Sequence, residues 1–166
     1  MDNRLRHQRG GGIAIRMHKL AASGLGIGYI GGGGGTAASI AACTGWYFLF
    51  REGVFSSMPW QPLLTAAAAV LCIWSAGVVE AFWGKDDRKV VLDEMAGMGV
   101  SLLFLPVAAG YLLAALILFR FFDIAKPLFI RKAEGLGGGW GVVADDLLAG
   151  LYTNIILHAV FYLSAM

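Results

Sequence analysis

The chain has 166 residues, 58% of them hydrophobic, 14% charged, with a net charge of +2 and a mean hydropathy of +0.69. A soluble bundle this apolar would lack a polar surface, so the composition points to one small membrane-embedded domain. So small a net charge, without a basic patch interleaved with aromatics, excludes a nucleic-acid binder, and Cys43 and Cys72, set in apolar stretches without metal-type spacing, exclude a zinc site.

The first 19 residues carry Arg4, Arg6, Arg9, Arg16 and Lys19 around a glycine triplet at 10–12. They predict a flexible basic arm over 1–19 held on the cytoplasmic side near anionic lipid. No uninterrupted apolar core follows, because Gly24, Gly26, Gly28 and the glycine run 31–35 break it, so the arm is not a cleavable signal. Those glycines do not read as a dinucleotide loop either, since no strand precedes them.

Apolar segments then run over 37–50, 62–83, 95–105, 107–118 and 147–166. Only the second and the last reach the ~20 residues that cross a bilayer core. Residues 97–119 pose a topological question: as one span they would put Asp93 and Asp123 on opposite faces, ~30 Å apart. Pro106 favours a hairpin of two short helices, because it lacks an amide donor and disrupts a helix interior. Arg120, Lys126, Arg131 and Lys132 after the segment, and the loop 85–89 before it, belong on the same inner side as the basic arm. The loop 51–61, with one Arg, one Glu and Trp60, suits the outer face.

The hairpin brings Thr36, Asp86, Asp93, Glu94, Arg120, Asp123, Lys126, Arg131, Asp145 and Asp146 to helix ends on one face. Carboxylates beside apolar helices are costly to desolvate and persist where a cation compensates them. Asp123 lies three residues from both Arg120 and Lys126, a spacing that sets one carboxylate between two cations on a helix face. Asp145 and Asp146 follow glycines 135, 137, 138, 139 and 141, a loop that permits close backbone approach to a ligand before a helix starts. Hard carboxylate oxygens suit magnesium, and guanidinium and ammonium groups suit phosphate. Each acidic group alone also fits an interfacial salt bridge or a helix start; their convergence on one face is the argument for a site. His158, in the last apolar segment without an acidic partner, reads as a satisfied histidine.

Three motifs carry a family resemblance. V-V-L-D-E-M-A-G-M at 90–98, F-R-F-F-D-I-A-K-P at 119–127 with Ile130-Arg131 beyond, and G-G-W-G-V-V-A-D-D-L-L-A-G at 138–150 resemble the phosphatidylglycerophosphatase A family, a likeness that covers about residues 20–165. The resemblance implies an all-α, small multi-helix integral membrane bundle in a bacterial inner membrane, with residues 20–166 as one phosphatase domain and its site on the cytoplasmic face. It implies a magnesium-dependent enzyme that takes the terminal phosphate from phosphatidylglycerophosphate to give phosphatidylglycerol, with a membrane phospholipid as substrate and no obligate protein partner. Position by position it implicates Asp86, Asp93, Glu94, Arg120, Asp123, Lys126, Arg131, Asp145 and Asp146.

From these we expect metal ligation by Asp93, Glu94, Asp123, Asp145 and Asp146, catalysis by Asp123, Lys126 and Arg120, and substrate binding by Thr36, Asp86, Arg120, Lys126 and Arg131. Where the family reads P-G-T-x-G-S, this chain has Gly34-Gly35-Thr36-Ala37-Ala38-Ser39; an upstream proline is replaced by Gly31, and Phe129 stands where proline is frequent. These departures bear on loop order and lipid fit more than on reaction type. Attack by water and attack by an aspartate both fit the residues. Two other classes fit less well: another metal-dependent headgroup enzyme, whose aspartates would crowd one helix, and a cation or solute carrier, whose acids would sit mid-span.

Overall fold

The structure, a computed structural model, describes residues 12–51, 59–85, 87–127, 129–133 and 135–164. Asp86 and most of the basic arm and of the 51–61 loop lie outside the described residues. The described chain is all-helical: α1 (Gly12–Ala22), a 3-10 turn (Ile27–Ile30), α2 (Gly34–Phe50), α3 (Trp60–Trp83), α4 (Leu92–Leu102), α5 (Ala109–Ala125), the single turn α6 (Ile130–Ala133) and α7 (Gly139–Ser164).

Two helices, Trp60–Trp83 and Gly139–Leu163, are long and apolar enough to cross a membrane. Each turns large apolar side chains outward: Leu63, Val70 and Trp74 on α3, and Ile155, Val160 and Leu163 on α7, are all more than half exposed. So much outward apolar surface suits lipid, not water. Pro62 falls in the first turn of α3, where its missing amide would have had no partner anyway, and Gly84 ends the helix at φ 97° while its amide donates to Glu80 O at 2.9 Å.

The hairpin is present. Pro106 lies between α4 and α5, and both outer ends of the pair return to one cavity, so 97–119 is not a single span. A turn at this depth must satisfy its backbone within the protein. Gln61 and Asn154 do this: the Phe104 amide donates to Gln61 Oε1 at 2.9 Å, and Asn154 Nδ2 donates to the carbonyls of Ser101 and Leu103 at 3.2 and 2.9 Å. His158 is also satisfied, with Nδ1 3.0 Å from Asn154 O.

The arm proves shorter than expected. Residues 12–19 belong to α1, which docks on α3: His18 Nδ1 lies 3.2 Å from Ser75 Oγ and meets Trp74 edge-on, and Lys19 Nζ sits over the rings of Phe82 and Trp83. Burial of Ala22 and these polar and cation–π contacts order a segment whose local composition reads as mobile. Cys43 and Cys72 are free and buried, on α2 and α3.

Glycines set the central crossing. α4 packs most extensively on α7. A Cβ on Gly97 would stand 2.6 Å from Asp146 O and 2.7 Å from Phe119 Cε2, and one on Gly150 would collide with Gly97 O. Pairing of Gly97 with 146–150 and of Ser101 with Asn154 makes the two helices parallel. The same D-x-x-A-G pattern occupies both sides of the contact, at 93–97 and at 146–150, with Ala96 and Ala149 fully buried. Small residues let helix backbones touch where lipid supplies no hydrophobic drive to associate.

Candidate active site

A cavity of about 350 Å³ opens where the first turn of α4, the last turn of α5, the second turn of α7 and the glycine run before α2 meet. Asp93, Glu94, Arg120, Asp123, Lys126, Asp145 and Asp146 all line it, so three motifs far apart in sequence share one chamber. Asp87 and Arg88 line it too, a pair that motif reasoning passed over although both stand in the charged loop before α4. Thr36, in the first turn of α2, and Arg131, on α6, are exposed and are not among the lining residues.

Gly35 is the point of closest approach for α2. A Cβ there would collide with Glu94 Oε1 and stand 3.2 Å from Arg120 Nη1. The glycine run therefore serves contact as well as turning: a side chain at 35 would have to displace the ends of Glu94 and Arg120.

The lining carboxylates fall into two groups. Asp123 pairs with Arg120 Nη1 across one helical turn, Asp145 Oδ2 accepts from Lys126 Nζ at 2.7 Å, and Asp87 accepts from Lys89 Nζ at 3.0 Å. Asp93, Glu94 and Asp146 make no such ion pair among the described residues, and they offer oxygens that all lie within 4.8 Å of one another. Two of the three are nearly sealed from solvent, Asp93 at 7% and Asp146 at 3% exposure.

That concentration of charge is unfavourable by itself. Burial, then the neighbouring charge of Glu94, pushes the Asp93 carboxyl well above its ordinary range; Glu94 is also raised, first by burial and then by Asp123, against a lowering hydrogen bond to Asp93. Asp87 is held below its ordinary range: its small burial cost is outweighed by hydrogen bonds from the Lys89 amide and ammonium. Glu94 Oε2 and Asp145 Oδ1 are buried without a hydrogen-bond partner among the described residues. Clustered, partly unsatisfied hard oxygens fit a divalent cation such as magnesium.

Two expected local arrangements differ. Lys126 does not share a helical face with Asp123, because α5 ends at Ala125 and Lys126 takes the left-handed conformation at φ 44° before Pro127. Proline after it forbids continuation of the helix, and the turned-out backbone delivers the ammonium to Asp145 on another helix. Asp145 and Asp146 do not precede a helix either; α7 already begins at Gly139, so they lie two turns inside it. Of the glycines ahead of them, Gly138 turns the chain at φ 61°, and Gly139 serves packing, since a Cβ there would collide with Ile73 O of α3.

Comparison with known proteins identifies the family. Residues 20–161 match the phosphatidylglycerophosphatase A family model. A Bacteroides thetaiotaomicron protein provisionally named a phosphatidylinositol-3-phosphatase is 41% identical over 145 residues, 83% of this chain and 89% of its own length. Proteins named phosphatidylglycerophosphatase A are similar as well: that of Haemophilus influenzae at 35% identity, covering 86% of this chain and 88% of the relative, and that of Escherichia coli at 31%, covering 75% and 72%. No solved structure matches. With its three motifs converging on one acidic and basic chamber and its family match spanning 20–161, the chain belongs to the phosphatidylglycerophosphatase A family of membrane phosphoric monoester hydrolases.

Proposed function

We propose that this enzyme removes the terminal phosphate of phosphatidylglycerophosphate, giving phosphatidylglycerol, with magnesium held by Asp93, Glu94 and Asp146. One observation carries the reading: of the six lining carboxylates, three are each matched to a cation, and the three without such a match are those whose oxygens converge. When bound, the ion would offset most of the trio's charge and polarise the phosphoryl oxygens. Arg120 and Lys126, each anchored by a carboxylate, present fixed positive charge to a phosphate entering between them, and Arg88 adds a third cation at the rim. Asp145, with Oδ2 held by Lys126 and Oδ1 without a donor among the described residues, is placed to orient a water and take its proton as the phosphoryl group is attacked.

Phosphate release from phosphatidylglycerophosphate and from phosphatidylinositol 3-phosphate, each with magnesium and with chelator, tests this reading. The 41% identity to the Bacteroides protein makes the inositol lipid the specific rival. Expected is release from phosphatidylglycerophosphate that chelator abolishes; faster release from the inositol lipid, or indifference to chelator, overturns the assignment.

The chamber faces the cytoplasm in this proposal, because Arg88, Lys89, Arg131 and Lys132 flank its mouth or the adjoining turn, and basic loops stay inside. Single cysteines at Lys89 and Lys132, in a background lacking Cys43 and Cys72, are expected to resist an impermeant thiol reagent in intact cells. Labelling of both from outside would invert the orientation.

A further inference from the structure

A second cleft, of about 520 Å³, adjoins the chamber and shares Gly31, Asp87 and Arg88 with it. Its charge balance is the reverse. The chamber is rich in carboxylates, whereas among the described residues this cleft is lined by Lys85, Arg88 and Lys89 against the carboxylate of Asp87. Asp87 is already matched to Lys89 at 3.0 Å, and Lys85 and Arg88 make no ion pair among the described residues. Among the described residues a surplus of two cations therefore remains in the cleft.

The other wall is aromatic. Trp83, the last residue of the long α3, meets Tyr29 edge-on with ring centroids 6.0 Å apart, and Lys89 Nζ lies 5.2 Å from the Trp83 ring centroid. Trp and Tyr at the end of a spanning helix mark the level of lipid headgroups. The cleft is also a fixed shape. A Cβ on Gly28 would collide with Lys89 O, so the 3-10 turn closes on the loop backbone to backbone, and the Val91 amide ties that loop to Ala22 O at 2.9 Å.

We propose that this cleft binds the inner, diester phosphate of the phospholipid substrate while the terminal phosphate occupies the chamber. The inference rests on the proposed lipid phosphatase reading and adds a specificity element to it. A phosphodiester carries one negative charge and two ester oxygens, and a headgroup-level pocket with a cationic surplus among its described residues and an aromatic wall suits it. The shared wall decides between two sources of such a group. Two adjoining pockets, one reactive and one cationic, match the two phosphates of a single molecule joined by a short polyol better than two separate lipids. Arg131, expected from sequence among the substrate-binding residues, is on α6 and lines neither pocket.

Lys85→Glu tests the assignment, because Lys85 is exposed and, of the two pockets, lines the cleft alone. The probe is dihexanoyl-phosphatidylglycerol, which has the diester phosphate and no monoester, as the sole anionic lipid in neutral detergent. For the parent it is expected to bind by calorimetry and to inhibit phosphate release competitively. In Lys85→Glu its binding should weaken about tenfold or more, the scale of a like-charge contact, with a matching rise in KM for phosphatidylglycerophosphate and an unfolding midpoint equal to the parent's. Unchanged probe binding in Lys85→Glu, no binding by the parent, or noncompetitive inhibition, which would indicate a separate lipid, overturns the proposal. A parent that binds the probe through Lys85 yet releases no phosphate from phosphatidylglycerophosphate would uphold the cleft and sink the substrate assignment instead.

Discussion

Asp93→Asn, Glu94→Gln and Asp146→Asn are each expected to lower magnesium-dependent phosphate release by about 10³-fold or more, the several kcal/mol that a correctly held ion contributes to a phosphoryl transition state. The trio differs from the other lining acids in having no cationic partner of its own among the described residues, so each amide removes one of three charges available to an ion. A readout besides activity separates this from damage to the fold. Magnesium should raise the unfolding midpoint of the parent and not of the three variants. Without magnesium the variants should be at least as stable as the parent, because an amide relieves the crowding of like charges at a buried site. Variants destabilised in chelator, or still stabilised by magnesium, would show that the trio is structural.

Arg120→Gln and Lys126→Gln are expected to slow phosphate release by about 100-fold each, the scale of one lost donor to a developing oxyanion, while magnesium continues to stabilise both proteins. Each cation is held in place by a carboxylate, Arg120 by Asp123 and Lys126 by Asp145, so its charge is positioned before the substrate arrives. Conservative exchange should not rescue. Arg120→Lys keeps the charge but loses the planar fork and should remain well below the parent. Rates near the parent's in both glutamine variants would mean that these cations only balance buried acids.

Local chemistry was the legible part of the chain. Pro106 and the cations after residue 119 predict the hairpin because a missing amide and a charge bias act where they stand. The acidic set is equally plain, since carboxylates among apolar residues have few inexpensive places to go. The D-x-x-A-G pattern at 93–97 and 146–150, which sequence reasoning passed over, marks the two turns that meet. What escaped the sequence depends on partners distant in the chain. A glycine that opens a loop and a glycine that lets two helices touch look the same, so the run before Asp145 reads as a ligand loop although Gly139 rests against Ile73. The order of α1 depends on Ser75 and Trp74 of α3, which nothing in residues 12–19 announces. Asp87 and Arg88 are hidden for the opposite reason: a short charged loop ordinarily needs no explanation beyond solvent.

The backbone contact of Gly97 with Gly150 acts as a fulcrum. Asp93 and Asp146 stand four residues ahead of it on their own helices, about 6 Å along each axis at 1.5 Å per residue. A tilt of one helix against the other by about 2° would then move its carboxylate by only about 0.2 Å, with a larger displacement at the distant end of α7. Metal coordination tolerates about 0.2 Å, so a pivot placed this near the ligands leaves little for side-chain adjustment to correct. A bilayer that changes thickness or bends can rock these helices at their distant ends while the reactive chamber, one turn from the pivot, keeps its dimensions.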